Sequence, residues 1–174
     1  MYRDRNALIQ HYMPGVAPYV SEYDAIMGGS PTLAVMNSTF GAGTAEVIIA
    51  SKLSCLNQYT NAKVKITPAQ ADELATSIVA DPDLRGMKGD VFALFFERLK
   101  TGKFGELYNI VDAVSICAKL RQFYLQCEAK RKVWSEHLEH EREANALEQH
   151  RKSAITFDEF KKTEAYKRIA TQCK

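Results

Sequence analysis

Residues 90–100 read Asp-Val-Phe-Ala-Leu-Phe-Phe-Glu-Arg-Leu-Lys, and this stretch decides the fold. Its apolar side chains recur at spacings of three and four residues, which predicts a helix with a dense aromatic face. Asp90 is expected to cap the start of that helix. The residues of the apolar face are Val91, Phe92, Leu94, Phe95, Phe96 and Leu99. We expect this helix to anchor the hydrophobic core.

The sequence that follows predicts a tight turn and then a long helix. The turn, residues 101–109, contains Gly102 and Gly105, which ease a reversal of the backbone. Asp112 is expected to cap a helix that continues to about residue 150, with an apolar face over its first four turns. Such a helix would be about 58 Å long, so it must either project or fold back. The capping box Thr156-Phe-Asp-Glu159 predicts a terminal helix.

Proline and glycine divide the first 41 residues into short predicted helices. Residues 2–12 and 18–27 each predict one. Ser30-Pro31 is typical of a helix start, with Ser30 as the N-cap and the proline at the first helical position. That helix is expected to end near Gly41.

Two further helices are predicted before the aromatic one. A central, buried helix is expected from Thr44 to about Tyr59, because its residues are apolar on nearly all sides. Residues 45–50 could instead form a buried strand, since periodicity does not separate the two. Thr67-Pro68 repeats the cap and proline pattern and opens a helix that ends at Asp81-Pro82.

These elements predict an all-α fold. The expected architecture is a compact bundle of about five to seven helices with a long, charged C-terminal helical arm. Residues 1–29 form an N-terminal helical segment in this prediction, residues 30–132 the helical core domain, and residues 133–174 the charged arm with its terminal helix. The last boundary follows the fall in apolar residues after about Lys130.

Composition narrows the class of protein. The chain has 174 residues, 46% of them apolar and 25% charged, which is typical of a folded soluble protein. The net charge is +2, so the chain does not have the large excess of basic residues that is typical of many proteins that bind nucleic acids or membranes. We expect no membrane helix and no signal peptide, and therefore a cytoplasmic location. The four cysteines have no zinc-site spacing and favour free thiols.

Patterns that would indicate an enzyme are incomplete. Gly41-Ala-Gly43-Thr44 lacks the further glycine and the lysine of a nucleotide-binding loop. Glu136, His137, His140 and Glu141 share helical spacings, but Ala144 stands where a metalloprotease motif starting at His140 would need histidine. The sequence therefore predicts a protein that is not an enzyme, with no catalytic, cofactor-binding or metal-binding residues.

Basic residues beside aromatic ones suggest a binding surface around the turn at 101–109. Cations pair with phosphates, and aromatic rings stack on bases, so the set could bind a nucleic-acid strand or a protein partner. Its members are Arg98, Lys100, Lys103, Phe104, Tyr108, Lys119, Arg121, Lys130, Arg131 and Lys132. The alternative, which we favour, is that Phe104 and Tyr108 belong to the core and the lysines are simply solvated.

The charged arm offers a second interaction surface. Trp134 and Leu138 lie four positions apart and form an apolar pair on an otherwise charged helix, which a partner or a second copy could cover. Apolar residues at heptad positions between 133 and 150 are too few to predict a coiled coil.

Residues 92–131 resemble a family of small helical proteins of unknown function from Bacteroides-type bacteria and their phages. The similarity lies in Leu-Lys-x-Gly-x-aromatic-Gly-x-Leu-Tyr at 99–108, followed by the helix that Asp112 caps, and extends over about residues 30–132. The family has no established activity, so the resemblance implies no catalytic residue. The helix, turn and helix are loosely similar to phage replication accessory proteins such as helicase loaders, which is an analogy of fold only.

These observations together predict a non-enzymatic interaction protein. The preferred setting is phage or mobile-element DNA replication, with a protein partner such as a replicative helicase, or a second copy, and with DNA as a possible ligand. The alternative is a structural or regulatory helical protein that forms homo-oligomers and binds no nucleic acid.

Overall fold

The fold is described from a computed structural model, over residues 2–15, 21–59, 63–105, 112–154, 156–166 and 168. Within these ranges the chain is helical with no strand, which confirms the predicted all-α class and the long C-terminal helix. The helices are α1 (Arg5–Tyr12), α2 (Glu22–Met27), α3 (Leu33–Phe40), α4 (Thr44–Leu56), α5 (Pro68–Ala80), α6 (Gly89–Lys100), α7 (Ala113–Ser153) and α8 (Phe157–Phe160). None of the helices in the described part of the chain could cross a membrane.

The chain divides into two compact units, Met1–Arg131 and Lys132–Lys174. Helices α1 to α6 and the first part of α7 belong to the first unit, so the predicted N-terminal segment 1–29 lies in the same unit as the core. In that unit α4 packs against α5, α3 and α1, while α2 packs against α6. The second unit contains the rest of α7 and α8.

Aromatic side chains of α6 form the centre of the first unit. Phe92, Phe95 and Phe96 are all buried, whereas Leu94 of the same predicted face is half-buried. The ring of Phe95 lies 5.8 Å from that of Phe123 on α7, between centroids, at a tilted angle that suits aromatic pairs. The aromatic stretch therefore joins α6 to α7.

Local sequence signals correctly placed several helix starts. Thr67 and Gln70 form a reciprocal capping box at α5, with Pro68 in the first turn. Asp112 accepts hydrogen bonds from the backbone N–H groups of Val114 and Ser115 at the start of α7. Residues 45–50, which were open between helix and strand, lie inside helix α4.

Helix α3 starts at Leu33, with Thr32 as its N-cap, so the predicted cap at Ser30 is wrong. The backbone before α3 is extended and pairs with the segment before α6. The Leu33 N–H donates to the Met87 carbonyl at 2.9 Å, and the Gly89 N–H donates to the Pro31 carbonyl at 2.9 Å. This long-range pairing delays the helix by two residues relative to the proline signal.

Helix α6 starts at Gly89, with Lys88 as its N-cap, so the predicted cap at Asp90 is also wrong. The Asp90 carboxylate instead accepts a hydrogen bond of 2.8 Å from the Tyr12 hydroxyl. The Tyr12 ring lies against Gly89, where a Cβ atom would come within 2.7 Å of Tyr12 Cζ. Asp90 therefore ties α6 to α1 rather than capping its own helix.

Candidate interaction surface

The turn after α6 is built on two glycines with left-handed backbones. Gly102 has φ +73° and Gly105 has φ +84°, conformations that other residues rarely adopt. Phe104 between them is half-buried, and its ring centroid lies 5.2 Å from Phe95 and 5.7 Å from Phe123. Its ring therefore packs on core rings. Tyr108 of the predicted set lies outside the described residues.

Two cations of α7 hold neighbouring segments of the first unit. The Lys119 ammonium donates to the Phe104 carbonyl at 2.9 Å, which closes the turn onto α7. Arg121 forms an ion pair of 2.7 Å with Asp81 at the end of α5. The hydrogen bond from Arg121, aided by the Asp83 N–H, lowers the pKa of the Asp81 carboxyl below its usual value.

Glu22 at the start of α2 binds two more of the predicted cations. Its carboxylate lies 2.7 Å from the Lys130 ammonium and 3.1 Å from the Arg98 guanidinium. The Lys130 hydrogen bond and the charge of Arg98 lower the pKa of Glu22. The Arg98 guanidinium also lies over the Phe123 ring, 5.2 Å from its centroid. This cluster fastens α2 to α6 and α7.

Most of the remaining predicted cations also have partners in the chain. Lys100 pairs with Glu97 at 2.9 Å and lies 4.6 Å from the centroid of the Tyr59 ring. Arg131 pairs with Glu128 at 2.6 Å. The side chains of Lys103 and Lys132 are exposed and make no hydrogen bond or ion pair with another described residue. The basic set is therefore largely engaged in holding the first unit together.

Exposed apolar residues lie together on the side of α7 that faces away from the core. Leu125 stands two positions from both Phe123 and Cys127, which are buried. Because two positions correspond to a rotation of about 200° around a helix, Leu125 lies on the side opposite these buried residues. Leu125 is 70% exposed, and Val114, 11 residues or about three turns earlier, is 75% exposed. We call Val114, Ala118, Leu125 and Ala129, all exposed, the outer face of α7.

The predicted pair on the arm is partly buried. Trp134 and Leu138 are both half-buried. They belong to the second unit, and the outer face belongs to the first.

A family-level sequence comparison matches residues 65–171 to a family described as "Family of unknown function (DUF6633)". The chain belongs to this family. The match starts later and ends later than the resemblance noted from the sequence, and it includes α5 to α8 with the turn and the outer face. No curated protein and no solved structure matches the chain.

This DUF6633 chain also has a cavity of about 170 Å³ between α2, α6 and α7 in its first unit. Lys88 lies in its wall and donates to the carbonyls of Ile26 and Gly28, at 2.8 and 2.7 Å, which fastens the end of α2. Burial lowers the pKa of Lys88 and raises that of Cys127, also in the wall, to about 11. Cys127 is therefore a protonated, weakly nucleophilic thiol at neutral pH.

Sequence reasoning did not identify Lys52 of α4, which is 1% exposed. Its ammonium lies 5.7 Å from the centroid of the Phe96 ring, and burial lowers its pKa. An i, i+4 pattern of apolar neighbours would place this side chain in the core, but a lysine in such a pattern usually extends to solvent. In the fold its ammonium instead meets an aromatic ring of α6.

The histidines of α7 in this DUF6633 member lie in exposed, charged surroundings. His137 lies 3.6 Å from Glu141, and His140 lies 3.8 Å from Glu143. Among the described residues, no group of three or more histidine, cysteine, aspartate or glutamate side chains forms a metal site.

Proposed function

We propose that this DUF6633 protein is a non-enzymatic interaction protein that binds a protein partner through the outer face of α7. The observation that carries the proposal is the exposure of Val114 and Leu125, at 75% and 70%, on one side of a helix whose other side is buried. Apolar side chains arranged along one helix face are a common means of docking to another helix or groove.

The basic set supports a protein partner better than DNA. A cation that already pairs with a carboxylate would have to give up that bond, or share it, to bind a phosphate. Arg98, Lys130, Arg121 and Arg131 each have a carboxylate within 3.1 Å in the first unit. DNA that approached the turn would first meet Lys103, which is exposed. A direct role in binding DNA is therefore the secondary candidate.

The replication setting and the cytoplasmic location are parts of the same proposal. The setting rests on the resemblance of the helix, turn and helix to phage helicase loaders, and a partner of that kind would be a replicative helicase. Free thiols at Cys55, Cys117 and Cys127 fit a reducing compartment.

Affinity purification from the native host tests this function. Wild-type protein, Leu125→Glu and a matched control, Val47→Glu, would each be purified and the retained proteins identified by mass spectrometry, with and without nuclease. Val47 is also apolar and exposed, at 42%, but it lies on α4. We expect one or more proteins, replication proteins foremost, to remain after nuclease and to be lost only in Leu125→Glu.

Two results would contradict the proposal. Retention of the same proteins by Leu125→Glu would exclude the outer face as the docking surface. Loss of all retained proteins after nuclease would show that DNA bridges them, and would favour the secondary candidate.

A further inference from the structure

The cavity of about 170 Å³ in the first unit has an apolar inner wall and a polar rim. Ile26, Val91 and Cys127 line it and are at most 3% exposed, so they lie deepest. Lys88 and Tyr124, which also line it, are half-buried. An apolar cavity of about 150 Å³ holds a benzene molecule, so this one has room for a ligand of roughly six to eight non-hydrogen atoms.

The polar rim has more hydrogen-bond donors than the chain has partners for them. The Lys88 ammonium has three donors and uses two of them, on backbone carbonyls at the end of α2. The Tyr124 hydroxyl makes no hydrogen bond with a residue in the described ranges. Arg131 binds Glu128 through Nε and Nη2, which leaves the two N–H groups of Nη1 without a partner in the described part of the chain. A ligand that fills the cavity therefore needs acceptor atoms at the rim.

The charges around the cavity favour an anion with a single charge. The wall contains two cations, Lys88 and Arg131, and one carboxylate, Glu128, a net charge of +1. Glu128 is paired with Arg131 at 2.6 Å, so the excess charge is that of Lys88, which forms no ion pair with a described residue. Asp90 lies outside the wall, and its carboxylate accepts the hydrogen bond of the Tyr12 hydroxyl. A dianion would exceed the charge of the rim and would lose hydration against the apolar inner wall.

We propose that this cavity binds a small monocarboxylate with an apolar tail of about three to five carbon atoms. The carboxylate accepts hydrogen bonds from Lys88 and Tyr124, and the tail packs on Ile26, Val91 and Cys127. The outer face of α7 contributes no residue to the wall, so this site is separate from the proposed docking surface. Because α2, α6 and α7 all contribute to the wall, a bound ligand would hold the three helices together.

A titration of the full-length, wild-type protein followed by NMR of its backbone amides tests the site. Pentanoate is the probe, because its four-carbon tail has the length that the cavity accepts. We expect saturable shifts of the amide signals of Lys88, Val91 and Tyr124, with a Kd of about 1 mM, an affinity that suits a ligand of so few atoms. Shifts only at residues away from the cavity, or no saturation up to about 20 mM, would overturn the site.

Two further ligands test the class of anion. Pentanamide has the shape of pentanoate without its charge, and should bind at least about tenfold more weakly, because it lacks charge-assisted hydrogen bonds. Inorganic phosphate has charge without a tail and should also bind more weakly. Equal Kd values for pentanoate and pentanamide would overturn the selection of a carboxylate. Tighter binding of phosphate would overturn the need for an apolar tail.

The Tyr124→Phe variant tests the rim. It removes only a hydroxyl that has no hydrogen bond to the described chain, so the melting temperature should stay the same while the Kd for pentanoate rises by about threefold to tenfold. Tyr59→Phe is the matched control, because the Tyr59 hydroxyl also lacks a hydrogen bond to a described residue and lies outside the cavity. A change at Lys88 separates binding from folding less well, since its ammonium also fastens the end of α2. An equal Kd in Tyr124→Phe and Tyr59→Phe would overturn the placement of the carboxylate at this rim.

Discussion

The two halves of helix α7 are held helical by different interactions. Residues 113–131 bury Ile116, Leu120, Phe123 and Cys127 in the first unit. Residues 133–153 bury none of their side chains, and their contacts include pairs within one turn of the helix, such as Lys152 with Glu148 at 2.7 Å. The first half of the helix is stabilised by packing against the core, and the second half largely by interactions between neighbouring residues of the helix itself.

This difference shows where binding could change the molecule most. Packing of an apolar face supplies most of the stability of helices in proteins, whereas an exposed helix depends on its length and on the propensities of its own residues. Exposed ion pairs contribute little, typically below about 1 kcal/mol each. A partner that covers residues 133–148 would therefore stabilise a segment that has little tertiary support of its own.

The largest expected effect comes from removing a packed side chain of the first half. Phe123→Ala should lower the free energy of unfolding by about 3–5 kcal/mol, because Phe123 contacts Phe95, Phe104 and Arg98 and is fully buried. Leu125→Ala, two positions away on the outer face, should change it by less than about 0.5 kcal/mol. Urea unfolding followed by circular dichroism measures both. A similar loss in the two variants would mean that Leu125 is also packed.

A smaller effect is expected at the ion cluster that fastens the first half to α2. Glu22→Gln should lower the free energy of unfolding at pH 7 by about 1 kcal/mol, because Lys130 and Arg98 lose their shared carboxylate. The pKa of Glu22 is lowered in the folded protein. Its contribution is therefore complete above the usual glutamate pKa and is lost as the pH falls through the lowered folded value.

The pH dependence provides the check on that explanation. Urea unfolding of the wild type and of Glu22→Gln should differ at pH 7 and converge as the pH falls below the ordinary range of glutamate. A difference that persists unchanged at low pH would show that the variant acts through packing rather than charge.

Much of the fold could be predicted from signals contained in a few adjacent residues. The caps at Thr67 and Asp112 depend on side chains within three residues of the backbone groups they bind, so the sequence displays them directly. Ser30 and Asp90 have the same residue chemistry, but their helices start elsewhere. The backbone pairing of Pro31 with Gly89, and the Tyr12 hydroxyl on Asp90, join residues 58 and 78 positions apart.

The same distinction applies to the candidate surface. The cluster of cations around the turn is visible in the sequence, but Glu22 and Asp81, which bind three of them, lie 40 or more positions away. Their pairing depends on the tertiary fold. The outer face had a visible signal, since Val114 and Leu125 stand 11 residues apart. A search for heptads misses this spacing, because 11 residues complete about three turns.

The smallest expected effect lies in the second half of α7, where neighbouring cations offer a matched comparison. Lys152 pairs with Glu148 four residues earlier, an orientation that favours the helix, whereas adjacent Arg151 makes no ion pair with a described residue. Both lie in the last turn, so replacing either by glutamine removes the same favourable charge near the helix C-terminus. Hydrogen exchange of the amides around residues 148–152 should be about twofold faster in Lys152→Gln than in Arg151→Gln.

Equal exchange rates in the two variants would show that the ion pair adds nothing to the stability of this end of the helix, and that helix propensity alone holds it. A difference of more than about tenfold would exceed what an exposed pair can supply, and would mean that this half is held by tertiary contacts like the first.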